Sequence, residues 1–170
     1  LFANISSSPF IVQQHYGFSA FEFSLFFGIN ALAIGLAAGL SVKFKNPEHA
    51  MFLGSVGMTI MSAVEFVILS NEYHFAVYEA VLFVLLFSMG LTFTASTTLA
   101  MDCERANSGT ASALFGAAGF AFGGIVSPLV GLGDILSTTG LIFFVCSVCS
   151  LCFSVFAMNQ THTNLWGSFK

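Results

Sequence analysis

Two glutamates inside long apolar segments are the residues of this sequence most able to take part in chemistry. Glu65 lies within residues 51–70 and Glu79 within residues 75–101. A carboxyl group in hydrocarbon is costly and marks a functional site by default, often one that binds a proton or an ion. Either side chain could instead reach the membrane surface or make a hydrogen bond between helices, because both lie near the outer ends of their segments. We expect Glu79 to couple to protons and treat Glu65 as the weaker candidate.

An amide and several phenylalanines share one face of residues 23–42. Phe23, Phe26 and Phe27 precede Asn30 by seven, four and three residues, which is the spacing of one helical face. An amide beside aromatic rings could bind a flat, amphipathic or cationic small molecule. The alternative is a hydrogen bond from Asn30 to another helix, with the rings facing lipid.

Small side chains recur at helical spacing along residues 108–131. Such a face lets neighbouring backbones approach closely, and a proline near its end removes a hydrogen-bond donor and favours a kink. The expected packing face of this segment consists of Gly109, Ser112, Gly116, Gly119, Gly123 and Pro128.

Residues 75–101 carry a polar stripe of Ser88, Thr92 and Ser96. On a helical wheel, Glu79 lies opposite this stripe.

The remaining reactive side chains predict no metal, no cofactor and no enzymatic activity. Cys146, Cys149 and Cys152 repeat every third residue in an unbroken apolar segment, where a thiol behaves as a small hydrophobe. The four histidines are dispersed through loops and the tail, without metal-ligand spacing. A serine nucleophile would need an orienting base, and no histidine lies at membrane depth.

These candidates belong to segments that are built to lie in lipid. The chain of 170 residues is 56% hydrophobic and 7% charged, whereas soluble domains carry about 25% charged residues. A spanning helix needs about 20 apolar residues, and five segments qualify: 23–42, 51–70, 75–101, 108–131 and 135–158. Residues 1–12 are too short to span and predict the end of a helix that begins before Leu1. An all-α integral membrane protein follows, and four basic residues exclude a nucleic-acid surface.

The basic residues fall on one side of the predicted bundle. Lys43 and Lys45 lie in the second connection, Arg105 in the fourth and Lys170 in the C-terminal tail. Because short cytoplasmic loops are enriched in Lys and Arg, we expect these connections and the tail to be cytoplasmic.

Several stretches resemble one family of membrane proteins. The segments SSSPFIVQ (6–13), YGFS (16–19) and FGINAL (27–32) resemble the seventh and eighth helices of bicyclomycin- and chloramphenicol-resistance (Bcr/CflA-type) drug:proton antiporters of the major facilitator superfamily. The run SGTASALFG (108–116), followed by SPLVG (127–131), resembles the start and body of that family's eleventh helix. The resemblance extends to about residue 158.

This resemblance implies half of a major facilitator fold. Residues 1–158 would be the C-terminal six-helix half, from the end of helix seven through helix twelve, and residues 159–170 a cytoplasmic tail. The whole protein would lie in the bacterial inner membrane and export drugs or amphipathic molecules by proton antiport with alternating access. Its partners would be the bilayer, an N-terminal six-helix half on the same or a separate chain, a small-molecule substrate and protons. The alternative is a stand-alone membrane subunit or a truncated, non-transporting fragment.

The resemblance also ranks the site residues. In the superfamily, helices seven, eight, ten and eleven line the central cavity, whereas nine and twelve stand outside. Glu79 would then be the proton-coupling residue, and Glu65, on helix nine, would be a weaker candidate for that role. The residues expected to contact substrate are Phe10, Gln13, Phe26, Phe27 and Asn30.

Overall fold

The computed structural model describes residues 1–103 and 107–167, with side chains described as far as Asn159. Throughout these residues the regular structure is helical. The elements are α1 (Phe2–Pro9), which continues directly as a π-helix (Phe10–His15), α2 (Ala20–Ser41), α3 (Pro47–Ser70), α4 (Phe75–Cys103), α5 (Ser108–Leu129) and α6 (Ile135–Gly167). By length and composition, α2 to α6 can each cross a membrane. The prediction of five spanning helices is therefore confirmed.

The helix ends differ from the predicted ones for local reasons. Helix α2 begins three residues early because Ser19 and Glu22 form a reciprocal cap, in which each side chain accepts the other residue's backbone N–H. Helix α3 begins at Pro47, whose missing N–H costs nothing in the first turn. Helix α6 continues to Gly167, so most of the predicted polar tail is helical, and residues 168–170 lie outside the described residues.

Helix α4 is the centre of the bundle. It packs against α2 and α3, and α3 packs in turn against α6. The core is formed by apolar side chains from the π-helix, α2, α3 and α4, which are Ile11, Val12, Ala33, Ile68, Leu69, Tyr78, Leu82, Leu85 and Leu86. Helix α5 contacts α1 and α4 less extensively, and Gly123 is the one residue of α5 that the described part of the chain buries. The bundle is therefore tight around α3 and α4 and open along α5.

Single glycines determine how closely the central helices approach. A Cβ on Gly54 of α3 would lie 2.7 Å from the Ser88 carbonyl oxygen and 2.9 Å from the Thr92 nitrogen of α4. A Cβ on Gly90 of α4 would lie 2.9 Å from that of Ala37 on α2. Backbone-to-backbone contact of this kind is typical of helix association in membranes, where small residues increase the packing area.

Gly54→Ala is expected to destabilise the intact protein by about 1–3 kcal/mol, the usual cost of overpacking, because two of the three nearest atoms belong to the α4 backbone and cannot move aside. The matched control is Gly35→Ala on α2, since no described residue would lie within 4 Å of a Cβ at that position. Thermal unfolding in detergent measures both variants. Equal melting temperatures for the two variants would contradict the close contact.

The turn between α5 and α6 is closed by a side-chain cap. Gly133 has a φ of 97°, and Asp134 follows it directly before α6. The Asp134 carboxylate accepts the backbone N–H of Ser137 at 2.9 Å. This hydrogen bond holds the pKa of Asp134 below its usual range. The first turn of α6 thus depends on an ionised carboxylate.

Asp134→Ala is expected to lower the free energy of unfolding at neutral pH by about 1 kcal/mol, as for other helix N-caps. Because the native pKa is lowered, the wild-type advantage is complete above the unfolded pKa and is lost as pH falls through the native value. Unfolding at several pH values in detergent tests this. Asp134→Asn keeps a capping oxygen and should show no such pH dependence; a wild-type advantage over Ala that persists in acid would refute the explanation.

Candidate functional site

A hydrogen bond between α2 and α4 joins two residues that the sequence singled out separately. The Asn30 side-chain amide donates from Nδ2 to Glu79 Oε1 at 2.9 Å. Asn30 is buried and Glu79 is half-buried. The other oxygen of each side chain, Asn30 Oδ1 and Glu79 Oε2, is buried and has no hydrogen-bond partner in the described part of the chain. The pair therefore presents two acceptors to any donor that enters between these helices.

Aromatic rings cover the pair one helical turn away. Phe26 precedes Asn30 by four residues, Phe75 precedes Glu79 by four, and their ring centroids lie 4.6 Å apart. The ring of Phe18 also packs on Phe75, at a centroid distance of 4.4 Å. A cluster of aromatic rings in edge-to-face and tilted contact favours apolar and cationic ligands over water.

Phe27 stands apart from this cluster. It is 39% exposed and contacts Phe23 at a centroid distance of 5.7 Å on the same helix. The spacing of the phenylalanines indicated one aromatic face, whereas the structure divides it. Phe26 turns toward α4, and Phe27 lies on the outer surface of α2.

Phe10 and Gln13 lie in the π-helix that follows Pro9. The wider turn is seen in the Tyr16 backbone N–H, which donates to the Ile11 carbonyl five residues back at 3.1 Å. Phe10 is exposed and lines a cavity of about 360 Å³ with Gln14, His15 and Asp134, among others, and Gln13 is half-buried. Single π-turns in otherwise α-helical segments are frequent at functional sites. Apart from Pro9, nothing in the amino-acid pattern signals this irregularity.

A larger cavity of about 480 Å³ lies between α1, α3, α4, α5 and α6. Its lining is mostly apolar, with polar groups from Asn4, Thr92 and Ser96, among others. Glu79 is not part of this lining. Thr92 and Ser96 of α4 therefore line a cavity that Glu79 does not line. Sequence reasoning missed Asn4, a buried amide that accepts a hydrogen bond from Ser8 Oγ at 2.9 Å; its only signal was an amide in an apolar segment.

The small-residue face of α5 meets another helix at one end only. Gly123 packs under the ring of Phe2, and Gly119 lines the large cavity. A Cβ added to Gly109 or Gly116 would have no described residue within 4 Å. Ser112 is exposed, and Pro128 is the second-last residue of α5. Most of the expected packing face is thus uncovered by the described residues.

Glu65 has neither of the placements that the sequence offered as alternatives. Its side chain is 0% exposed, so it does not reach the surface. Both carboxyl oxygens are buried, and neither has a hydrogen-bond partner in the described part of the chain. The carboxyl is thus enclosed rather than bonded to a neighbouring helix.

In the described residues, five membrane-length helices, two of which are joined by an amide–carboxyl hydrogen bond, define a multi-pass membrane protein with a polar site between its helices. The chain is 35% identical over 151 residues to a protein of Bacillus subtilis (strain 168) described as an uncharacterized MFS-type transporter, YdgK. The alignment covers 86% of this chain, which spans 38% of the length of that relative. No protein-family model matches the chain, and no solved structure does. The chain is therefore similar to part of an MFS-type transporter, a protein of the major facilitator superfamily.

The hydrogen bond between Asn30 and Glu79 is expected to show as energetic coupling. In a double-mutant cycle with Asn30→Ala and Glu79→Ala, the coupling should be about 0.6–1.7 kcal/mol, the range for side-chain hydrogen bonds between membrane helices. Unfolding of the intact protein in detergent gives the four stabilities. Effects that add within about 0.3–0.5 kcal/mol, as for independent sites, would show that the pair does not interact.

Proposed function

We propose that this chain is the C-terminal half of a proton-driven secondary transporter that exports amphipathic small molecules, drugs among them, by alternating access. The observation that carries the proposal is the hydrogen-bonded Asn30–Glu79 pair inside the bundle, with two buried acceptors and a cover of aromatic rings. Intramembrane carboxyl groups are expensive and rare, and they mark ion and substrate pathways. The homology to a major facilitator protein supports the same class of activity.

The proposed coupling follows from competition for one carboxyl group. As a carboxylate, Glu79 accepts the Asn30 N–H and has a second oxygen available for a donor on the substrate. When Glu79 binds a proton, it loses its negative charge, and its attraction for a cationic substrate disappears. A proton and a cationic substrate would then exclude each other at this residue. That exclusion is the requirement for exchange of one against the other.

The proposed substrate contacts divide by chemistry. Phe26 would offer its ring to a flat or cationic group beside the pair, whereas Phe27 would contact substrate from the outer surface of α2. Asn30 Oδ1 is an acceptor without a partner in the described residues. Phe10 and Gln13 would contact substrate from the π-helix, where the local geometry can change at low cost. The contacts are mostly apolar and therefore fit a range of amphipathic molecules better than one polar metabolite.

The proposed partner is an N-terminal six-helix half, on the same chain or a separate one. Helix α2 exposes large apolar side chains along its length, and α5 leaves most of its small-residue face uncovered by the described residues. Such faces must be covered by lipid or by other helices. We further propose that the protein lies in the bacterial inner membrane with a cytoplasmic C-terminus, because in the sequence every Lys and Arg occurs in alternate connections or in the tail, which the predicted order of spans puts on one side.

Glu79→Gln is expected to abolish the proton dependence of export by the intact protein. Glutamine keeps an oxygen that can accept the Asn30 N–H but cannot bind and release a proton at physiological pH. The measurement is efflux of a fluorescent lipophilic cation from cells or vesicles, with and without a protonophore. Efflux by the variant should fall to the level of the wild type with the proton gradient collapsed.

The matched control is Glu72→Gln, at an exposed glutamate in the turn before α4, which should retain wild-type efflux. Efflux by Glu79→Gln that stays at the wild-type rate and remains sensitive to the protonophore would remove Glu79 from the coupling mechanism. Absence of efflux by the intact wild-type protein, for a panel of cationic and neutral amphipathic compounds, would contradict the transport proposal itself.

A further inference from the structure

Glu65 is a wholly buried carboxyl group that the proposed transport mechanism does not use. Helix α3 lies between α4 and α6, and the Glu65 side chain is enclosed at 0% exposure with both oxygens unpartnered in the described residues. Burying an unpaired carboxylate costs several kcal/mol even after the protein relaxes around it. A carboxylic acid that carries its proton avoids most of that cost. The enclosure therefore favours a bound proton at this position.

Among the described residues, the ionisable groups that interact electrostatically with Glu65 are carboxyl or phenol groups. Helix α4 contributes Glu79 and the buried Tyr78, both of which interact electrostatically with Glu65. The end of the π-helix is followed by Tyr16, which does the same. On the α6 side, Gly140 packs directly on Phe66, and the neighbouring Thr139 hydroxyl is wholly buried without a partner in the described residues. These neighbours offer no positive charge that would stabilise a carboxylate.

A hydrogen-bonded seam closes the space on the side of Glu65 that faces the start of α3. One turn away, Ser62 Oγ and Ser147 Oγ lie 2.6 Å apart, and Thr59 Oγ1 donates to the Ser147 carbonyl at 3.2 Å. These bonds hold α3 against α6, so they block a route from Glu65 outward between those two helices in this conformation. Glu79 belongs to α4, which packs on α3 separately from α6.

We propose that Glu65 is a second proton-binding site, which holds a proton in this conformation and exchanges it with Glu79. In the exchange, the O–H bond of the Glu65 carboxylic acid breaks and an O–H bond forms at Glu79 Oε2, which has no hydrogen-bond partner in the described residues. Glu65 becomes the carboxylate, Glu79 becomes the acid, and one proton moves without any electron transfer. Glu65 makes no hydrogen bond to Glu79 or Tyr78 in the described residues, so the transfer needs a movement of α3 against α4 or a bridging water molecule. The bound proton at Glu65 is independent of the proposed transport, whereas the exchange step rests on the proposed role of Glu79.

Infrared spectroscopy of the purified intact protein tests the bound proton. A protonated carboxyl group has a C=O stretch that a carboxylate lacks. At neutral pH the wild type should show this band for a buried acid, Glu65→Gln should lose it, and the control Glu72→Gln should retain it. A band that is absent from the wild type, or unchanged in Glu65→Gln, would overturn the proposal. Should Glu65→Gln fail to fold, Glu65→Asp must shift the frequency of the band, and an unchanged frequency would refute the assignment.

The rate of band shift after transfer to deuterated buffer tests the exchange with Glu79. The shift at Glu65 should be slower in Glu79→Gln than in the wild type, because the variant removes the acceptor. An equal rate in both proteins would refute the exchange and leave the bound proton standing. Neither readout depends on substrate export, so a failure here is distinct from a failure of the transport proposal.

Discussion

The hydrogen bond from Asn30 to Glu79 depends on a constraint that governs the whole bundle. In hydrocarbon there is no water to satisfy a polar side chain, so a hydrogen-bond partner on another helix or on the side chain's own backbone is strongly stabilising. Many serines and threonines of the chain have the latter and bond to carbonyls three or four residues back, as Ser88 and Thr92 do on α4. Asn30 and Glu79 instead bond to each other across two helices. Their bond consequently fixes which faces of α2 and α4 meet, and with them the aromatic contacts one turn away.

Two different kinds of contact hold the helices together. Around α3, backbones approach closely at glycines, and hydroxyl groups bond across to α6, as between Ser62 and Ser147. Around α1 and α5 the contacts are sparse, and a cavity remains between them. Dispersion forces grow with contact area, so the first group of helices is the rigid part of the bundle. The candidate pair lies at the edge of that rigid part, where α2 can respond to what binds beside it.

The spans were predictable because lipid imposes a simple rule on composition, and α4 begins at Phe75, the residue predicted. The orientation of the helices relative to one another was less predictable. Helices such as α4 are apolar on every side, so the sequence carries little information about which face turns inward. Asn30 and Glu79 were recognisable as residues that need a partner, but their choice of each other depends on how far α2 is displaced along α4. For the same reason the isolation of Glu65, the open face of α5 and the close contacts at Gly54 and Gly90 were not foreseen.

The π-helix between Phe10 and His15 has a mechanical consequence. Such a turn accommodates one residue more than the hydrogen bonding of an α-helix allows. If the extra residue leaves the π-turn and the turn becomes α-helical, the segment on one side advances by about 1.5 Å. It also rotates by about 100° about the helix axis, which is the step of one residue in an α-helix. A small sliding movement is thereby converted into a large change of direction for the side chains that it carries. A change between the π-helical and α-helical forms of this segment would therefore point Phe10 and Gln13 in new directions, while the ends of the helix move little.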